Sequence, residues 1–172
     1  TRLVGSEMCI RDRAGLYYHF GLPKIQLREK LFGIFEHKVM NRKIPLVRGF
    51  DDYFMAPNSR YTTVSAKAIH DCPQLIVLAE SEEAGVLLCM TENGKQIFVM
   101  GHLEYDRVTL QKEYERDLAK GLSIKLPVNY FPEDDPTKRP HLQWRAHSNN
   151  LYSNWLNYYV YQETPYDINQ IQ

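Results

Sequence analysis

Three apolar runs lie close together in the middle of this chain: Leu75-Ile76-Val77-Leu78-Ala79, Gly85-Val86-Leu87-Leu88-Cys89-Met90 and Gln96-Ile97-Phe98-Val99-Met100. Short continuous runs of this kind, without alternation of polar and apolar residues, read as strands buried on both faces. The second and third are separated by Glu92-Asn93-Gly94-Lys95. Asn-Gly tolerates the positive φ angles of a type I′ turn, so these two runs are expected to form a hairpin. Strands buried on both faces need helices to cover them, and the rest of the chain supplies candidates.

Leu16, Tyr17 and Phe20 suit the end of an amphipathic helix that Gly21 stops. Leu27 to Val39, around Phe32-Gly33-Ile34-Phe35-Glu36-His37, reads as a short strand with flanking loop. Asp51 to Arg60 contains Pro57, Asn58 and Ser59 and reads as a loop. Thr109 is placed to cap a helix in which Leu110, Tyr114 and Leu118 recur, with Gly121 closing it. Residues 123 to 140 carry four prolines and the acidic turn Glu133-Asp134-Asp135, a surface-loop composition. Ser148 is placed to cap a last helix along Leu151, Trp155 and Tyr159, ended by Thr164-Pro165. The first 13 residues, Thr1 to Arg13, show no periodicity and resemble peptide translated from adapter DNA; they read as a foreign segment. The pattern from Ala14 onward is mixed α/β.

Composition narrows the function classes. In 172 residues there are 21 Lys plus Arg and 21 Asp plus Glu, a formal net charge of zero, which argues against a general nucleic-acid binder. Tyr152, Trp155, Tyr158, Tyr159 and Tyr161 cluster late, but no Lys or Arg is interleaved between Asn149 and Gln162. A base-stacking surface needs such cations, so these aromatics read as helix packing. No apolar run reaches the length of a bilayer crossing, so no membrane partner is expected. The three cysteines, Cys9, Cys72 and Cys89, do not make a disulfide framework and fit a reducing cytoplasm.

The third apolar run leads into Gly101-His102-Leu103-Glu104-Tyr105-Asp106. Ligands of open α/β sheets sit beyond the carboxyl ends of strands, which puts His102 and Glu104 where chemistry tends to occur. In an extended segment residues two apart share a side, so the carboxylate can support the imidazole and stabilise the imidazolium formed on proton transfer. The bland alternative for such a pair is a surface contact. Candidate nucleophiles are Cys9, Cys72, Cys89 and Ser59. Cys89 lies inside a strand and Cys72 precedes Pro73 in a turn, so both read as structural. Cys9 stands just ahead of the first helix, where a thiol pKa is lowered. Composition alone does not choose among them.

Several segments together resemble the homoserine O-acyltransferases of methionine biosynthesis. They are Tyr18-His19-Phe20-Gly21-Leu22-Pro23-Lys24, Glu29-Lys30-Leu31-Phe32-Gly33-Ile34-Phe35-Glu36-His37, Ala56-Pro57-Asn58-Ser59-Arg60-Tyr61, Leu78-Ala79-Glu80-Ser81-Glu82-Glu83-Ala84-Gly85-Val86, Gly101 to Asp106, and Trp155 to Gln162 followed by Thr164-Pro165-Tyr166-Asp167. The resemblance runs from Ala14 almost to the C-terminus. It implies a class I glutamine-amidotransferase-like, flavodoxin-like sheet flanked by helices. It also implies that residues 14–172 are the C-terminal part of one acyltransferase domain whose N-terminal half is missing.

The resemblance further implies a function and a set of residues. An acyl group, acetyl favoured over succinyl, passes from acetyl-CoA or succinyl-CoA to the hydroxyl of L-homoserine through a cysteine thioester. Cys9 falls in the register of the family's nucleophile, although Ile10-Arg11-Asp12-Arg13 replaces the Trp-Gly-Ala-Gln that follows it in the family, with Arg11 where the glycine should be. His102 is then the general base, Glu104 orients it, and Lys30, Ser59 and Arg116 bind substrate. Without the resemblance Arg116 reads as part of a solvated helix face. No bound cofactor or metal is implied, the setting is cytoplasmic, and a homodimer is an open assembly. Two other readings stand beside this one: a glutamine amidotransferase or amidase of the same fold, and an inactive truncated fragment.

Overall fold

The computed structural model describes residues 7–8 and 10–162. Six strands form one sheet: β1 (Glu7–Met8), β2 (Ile25–Val39), β3 (Tyr53–Thr63), β4 (Leu75–Ser81), β5 (Gly85–Thr91) and β6 (Ile97–Val99), in the order β1-β6-β5-β4-β2-β3. Only β1 and β6 run parallel, with Glu7 opposite Phe98 and Met8 opposite Val99; every other neighbouring pair is antiparallel. The helices are α1 (Ile10–Phe20), α2 (Ala66–His70), α3 (Thr109–Ala119) and α4 (Arg145–Trp155).

The sheet has a core on each side, which is why the central runs are apolar throughout. Leu78, Leu87 and Met90 face one core, with Ile34, Leu46, Leu110, Trp144 and Leu151. Val77, Val86, Cys89 and Phe98 face the other, with Leu16 of α1 and Ile69 of α2. The central strands therefore feed two different apolar layers, alternating except where the β4–β5 register shifts and Leu78 with Ala79, and Leu87 with Leu88, enter the same one. Cys89 is fully buried in the second layer. Of the late aromatics, Trp155 and Tyr159 pack against the first layer, whereas Tyr161 is exposed.

Several local expectations are corrected. The segment around Phe32 is not a short strand with loop but one strand of 15 residues, and Asp51 to Arg60 is not a loop, since Tyr53–Thr63 pairs along it from Tyr53 opposite Lys38 to Thr63 opposite Ile25. Pro57 is accommodated opposite Ile34, and its carbonyl accepts from a turn outside the sheet. Tertiary pairing thus overrides the turn propensity of Pro-Asn-Ser. The β5–β6 hairpin forms, but only Gly94 of its Asn-Gly pair has positive φ, at 69°. Gly94 N–H donates to the Thr91 carbonyl at 2.9 Å, so the loop is longer than a two-residue type I′ turn. Thr109 does not cap α3 but is its first residue, after Val108. Ser148 does not cap α4 but lies inside it, buried, and the helix continues as a π-helical turn over Leu156–Val160. Gly21 and Gly121 follow their helices in the left-handed conformation, at φ 68° and 71°. Thr164-Pro165 lies outside the described residues.

The segment 123–140 is not wholly a surface loop. Tyr130 and Phe131 are buried in the first core, and Val128 bridges to Gly33 in the parallel sense. Val128 N–H donates to the Phe32 carbonyl at 2.9 Å, and Ile34 N–H donates to the Val128 carbonyl at 2.8 Å. This contact requires glycine: Gly33 has φ 144°, and a Cβ there would lie 2.4 Å from both the backbone nitrogen and oxygen of Val128.

Candidate active site

Past β6 the backbone is fixed from several directions before it reaches the histidine. Met100 N–H donates to the Leu87 carbonyl at 2.7 Å. The Met100 carbonyl accepts from Arg60 Nη1 at 3.0 Å and Arg13 Nη1 at 3.4 Å, both arginines being buried. Gly101 lies close against β3 and β5; a Cβ there would be 2.4 Å from Leu87 Cδ1 and 3.0 Å from the Pro57 carbonyl oxygen. His102 N–H donates to that same Pro57 carbonyl at 2.8 Å.

The residues that follow form a turn rather than an extended segment, with Tyr105 N–H donating to the His102 carbonyl at 3.1 Å. The turn brings the two side chains together: His102 Nδ1 lies 2.7 Å from Glu104 Oε1. A carboxylate can only accept, so Nδ1 carries the hydrogen in the neutral ring and Nε2 presents its lone pair. His102 is mostly buried, whereas about a third of the Glu104 side chain is exposed. The Tyr105 ring stacks on the imidazole, with centroids 4.1 Å apart and planes 15° apart.

The other half of the site is built on α3. Leu110, fully buried, and Tyr114, packed against the core, hold the helix to the sheet. Glu113 and Asp117, one turn apart on α3, share a face. Lys30 comes to them from β2, at the point where the β2–β3 register shifts between Gln26 and Leu31. Its Nζ lies 3.2 Å from Glu113 Oε2 and 3.2 Å from Asp117 Oδ2. It also lies 4.0 Å from the centroid of Phe32. Ser59 of β3, opposite Phe32, donates to Glu113 Oε2 at 2.5 Å. Tyr105 Oη donates to the other oxygen, Oε1, at 2.8 Å. Arg116 is half exposed and holds Asp117 Oδ1 through Nε at 2.8 Å and Nη2 at 2.7 Å.

The charges follow from these partners. Burial disfavours the Glu113 carboxylate, but the hydrogen bonds from Ser59, Tyr105 and Lys30 outweigh it and hold its pKa below the usual range. Asp117 is lowered in the same way, burial being overcome by Arg116 and Lys30. Its hydrogen bond to Asp117 raises the Arg116 pKa further. Beside Lys30 opens a cleft of about 450 Å³ lined by residues that include Phe32, Tyr61 and Leu126.

Lys30, Ser59 and Arg116 therefore converge on one cluster, and His102 with Glu104 adjoins it through Tyr105. The sequence reading missed Glu113, Asp117, Tyr105 and Arg60. The spacing of Glu113 and Asp117 on a helix is the one signal that could have raised the first two; nothing local distinguishes Tyr105 or Arg60. Cys9 lies outside the described residues; the chain on either side of it is the strand ending at Met8 and the helix opening at Ile10. Cys72 is half-buried beside α2, away from this cluster in the fold. Among the described residues no group of three or more His, Cys, Asp or Glu could hold a metal ion, and no helix is long and apolar enough to cross a membrane.

A sheet covered by helices on both faces, with a histidine–carboxylate pair past a strand end, places the chain among α/β proteins with the class I glutamine-amidotransferase fold. Solved structures agree. A glutamine amidotransferase from Thermotoga maritima superposes with a TM-score of 0.53 at 14% identity, over 86% of this chain and 55% of that one. A glutamine amido transferase from Methylobacillus flagellatus gives 0.56 at 13% identity, over 87% and 60%.

Within that fold the chain belongs to the homoserine O-succinyltransferase family, whose profile matches residues 5–166. The homoserine O-acetyltransferase of Lachnospira eligens is 60% identical over 164 residues, covering 95% of this chain and 53% of the relative. That of Lachnoclostridium phytofermentans is 62% identical over 162 residues, 94% and 54%. That of Acetivibrio thermocellus is 55% identical over 166 residues, 96% and 54%. The chain thus spans about half the length of the curated relatives it matches.

Proposed function

We propose that these residues belong to an acyltransferase that moves an acyl group from an acyl-CoA to the hydroxyl of L-homoserine, a cytoplasmic step of methionine biosynthesis. Acetyl is the favoured group, because the relatives named above are called homoserine O-acetyltransferases. The observation that carries the reading is the His102–Glu104 hydrogen bond beside the Lys30, Ser59 and Glu113 cluster, within a family match that covers nearly the whole chain.

The chemistry has two halves. In the first, the Cys9 thiolate attacks the thioester carbonyl of acyl-CoA, a new carbon–sulfur bond forms, and CoA leaves as its thiolate and takes up a proton. A strand end before the thiol and a helix N-terminus after it suit a nucleophile of this kind. In the second, the homoserine hydroxyl gives its proton to His102 Nε2 as its oxygen attacks the acyl carbon. The Cys9 thiolate is then released, and the imidazolium returns the proton. Glu104 keeps the Nδ1 hydrogen in place and stabilises the imidazolium during the transfer.

Homoserine is a zwitterion, and the Lys30, Arg116, Glu113 and Asp117 cluster offers two cations and two carboxylates. Arg116, with its side chain half exposed, suits the substrate carboxylate. Lys30 is held between two carboxylates, so its part is to set their charge and position together with Ser59. The test is acyl transfer to L-homoserine from acetyl-CoA or succinyl-CoA, followed as released CoA thiol. His102→Ala and Glu104→Ala should each lower turnover by about 10²–10⁴-fold. Near-normal rates in both variants would overturn the assignment, and glutaminase activity without acyl transfer would move the chain to the amidotransferase reading.

A further inference from the structure

Tyr105 touches both halves of the site. Its ring lies flat against the His102 imidazole, 4.1 Å between centroids, while its hydroxyl donates to Glu113 Oε1 at 2.8 Å. The other oxygen of Glu113 takes Ser59 and Lys30. A near-parallel stack fixes the plane of the imidazole, and Glu104 at Nδ1 then fixes its rotation in that plane. Both contacts constrain where Nε2 points.

We propose that Tyr105 is a positioning residue that couples the proton acceptor to the substrate side, its ring holding the His102 imidazole and its hydroxyl holding Glu113. This rests on the reading of His102 as the base, but the geometry divides the two tasks between separable atoms. An aromatic face against the ring also favours the imidazolium form over the neutral one, which is the form that must be stabilised during proton transfer. The hydroxyl carries none of that effect. It holds Glu113 Oε1 so that Oε2 stays with Ser59 and Lys30, and its loss should be felt by the bound amino acid rather than by the imidazole. Charged groups that face the pair include Glu104, bonded to the imidazole, Glu113, reached through the Tyr105 hydroxyl, and Arg116, whose charge is felt at Tyr105.

Two substitutions separate the tasks. Tyr105→Phe keeps the stack and removes the hydroxyl; Tyr105→Leu removes both. In ¹⁵N-labelled protein the His102 ring signals report its tautomer and its titration without any need for activity. In Tyr105→Phe the His102 tautomer should be that of the parent, with the midpoint moved by less than in Tyr105→Leu. In Tyr105→Leu the midpoint should fall by about half a pH unit and the Nδ1 hydrogen signal should weaken. In the acyl-transfer assay Tyr105→Phe should raise the homoserine KM several-fold with a smaller change in kcat, and Tyr105→Leu should lower kcat as well. Unchanged His102 signals in Tyr105→Leu, or an unchanged homoserine KM in Tyr105→Phe, would overturn the coupling. Should Tyr105→Leu fail to fold, Tyr105→Trp, which keeps an aromatic face without the hydroxyl, must match Tyr105→Phe in the ring signals for the proposal to survive. A failure of His102 to act as base would show in His102→Ala while leaving the ring signals of the Tyr105 variants as described, so the two failures are distinguishable.

Discussion

Acid should destabilise this protein through one buried histidine that takes no part in the proposed chemistry. His37 lies on β2 with 1% of its surface exposed. Its Nδ1 donates to the Phe35 carbonyl at 2.9 Å, its ring packs against Phe54, and Nε2 has no hydrogen-bond partner among the described residues. Burial is the main influence on its pKa; the Phe35 hydrogen bond opposes it, the charge of Arg60 reinforces it, and the pKa falls to about 4. In the unfolded chain the value is 6.5. Above that pH both states are neutral and nothing is lost. As pH falls through 6.5 the unfolded chain takes a proton that the folded protein refuses, and stability drops until the folded pKa is passed. At 1.36 kcal/mol per unit, the full loss is about 3 kcal/mol, of which about 2 kcal/mol is reached by pH 5. Urea unfolding at pH 7.5 and pH 5.0, followed by circular dichroism, should show it. His37→Gln should be destabilised at pH 7.5 but lose about 2 kcal/mol less than the parent between the two pH values, a difference of roughly 1 M in urea midpoint. Parallel pH curves for the two proteins would refute the reasoning.

Three further outcomes follow from single contacts. Gly33→Ala places a Cβ on the Val128 backbone and should cost about 2–4 kcal/mol, with faster hydrogen exchange at the Ile34 and Val128 amides. Gly94→Ala forces a left-handed residue and brings its Cβ to 2.7 Å from Tyr159 Cε1, so a thermal scan should show a loss of about 1–3 kcal/mol. Lys30→Met leaves Glu113 to Ser59 and Tyr105, and Asp117 to Arg116 alone, and should cost about 1–3 kcal/mol at pH 7. Their pKa values then rise, so the deficit relative to the parent should shrink as pH is lowered towards 4; a pH-independent deficit would show that Lys30 does not hold them down.

The sheet's central strands were legible because their residues are apolar on both sides, and a strand between two cores has no polar face to confuse its pattern. The turn after Asn93 and the ends of α1 and α3 were legible because Gly21, Gly94 and Gly121 take backbone angles that few other residues accept. His102 and Glu104 could be singled out because both lie within five residues of a strand end. By contrast, β3 runs through Pro57-Asn58-Ser59, whose local preference is for a turn; only the pairing with β2 makes it a strand. The cluster of Lys30, Ser59, Tyr105 and Glu113 spans more than eighty residues of chain. Nothing near Tyr105 in the sequence indicates that its ring will meet His102 and its hydroxyl Glu113. Local sequence determined which segments could be buried and where the chain could turn. The mutual placement of β2, β3, the His102 turn and α3 decided which charges would meet, because hydrogen bonds of this length depend on positions that only packing of distant segments defines.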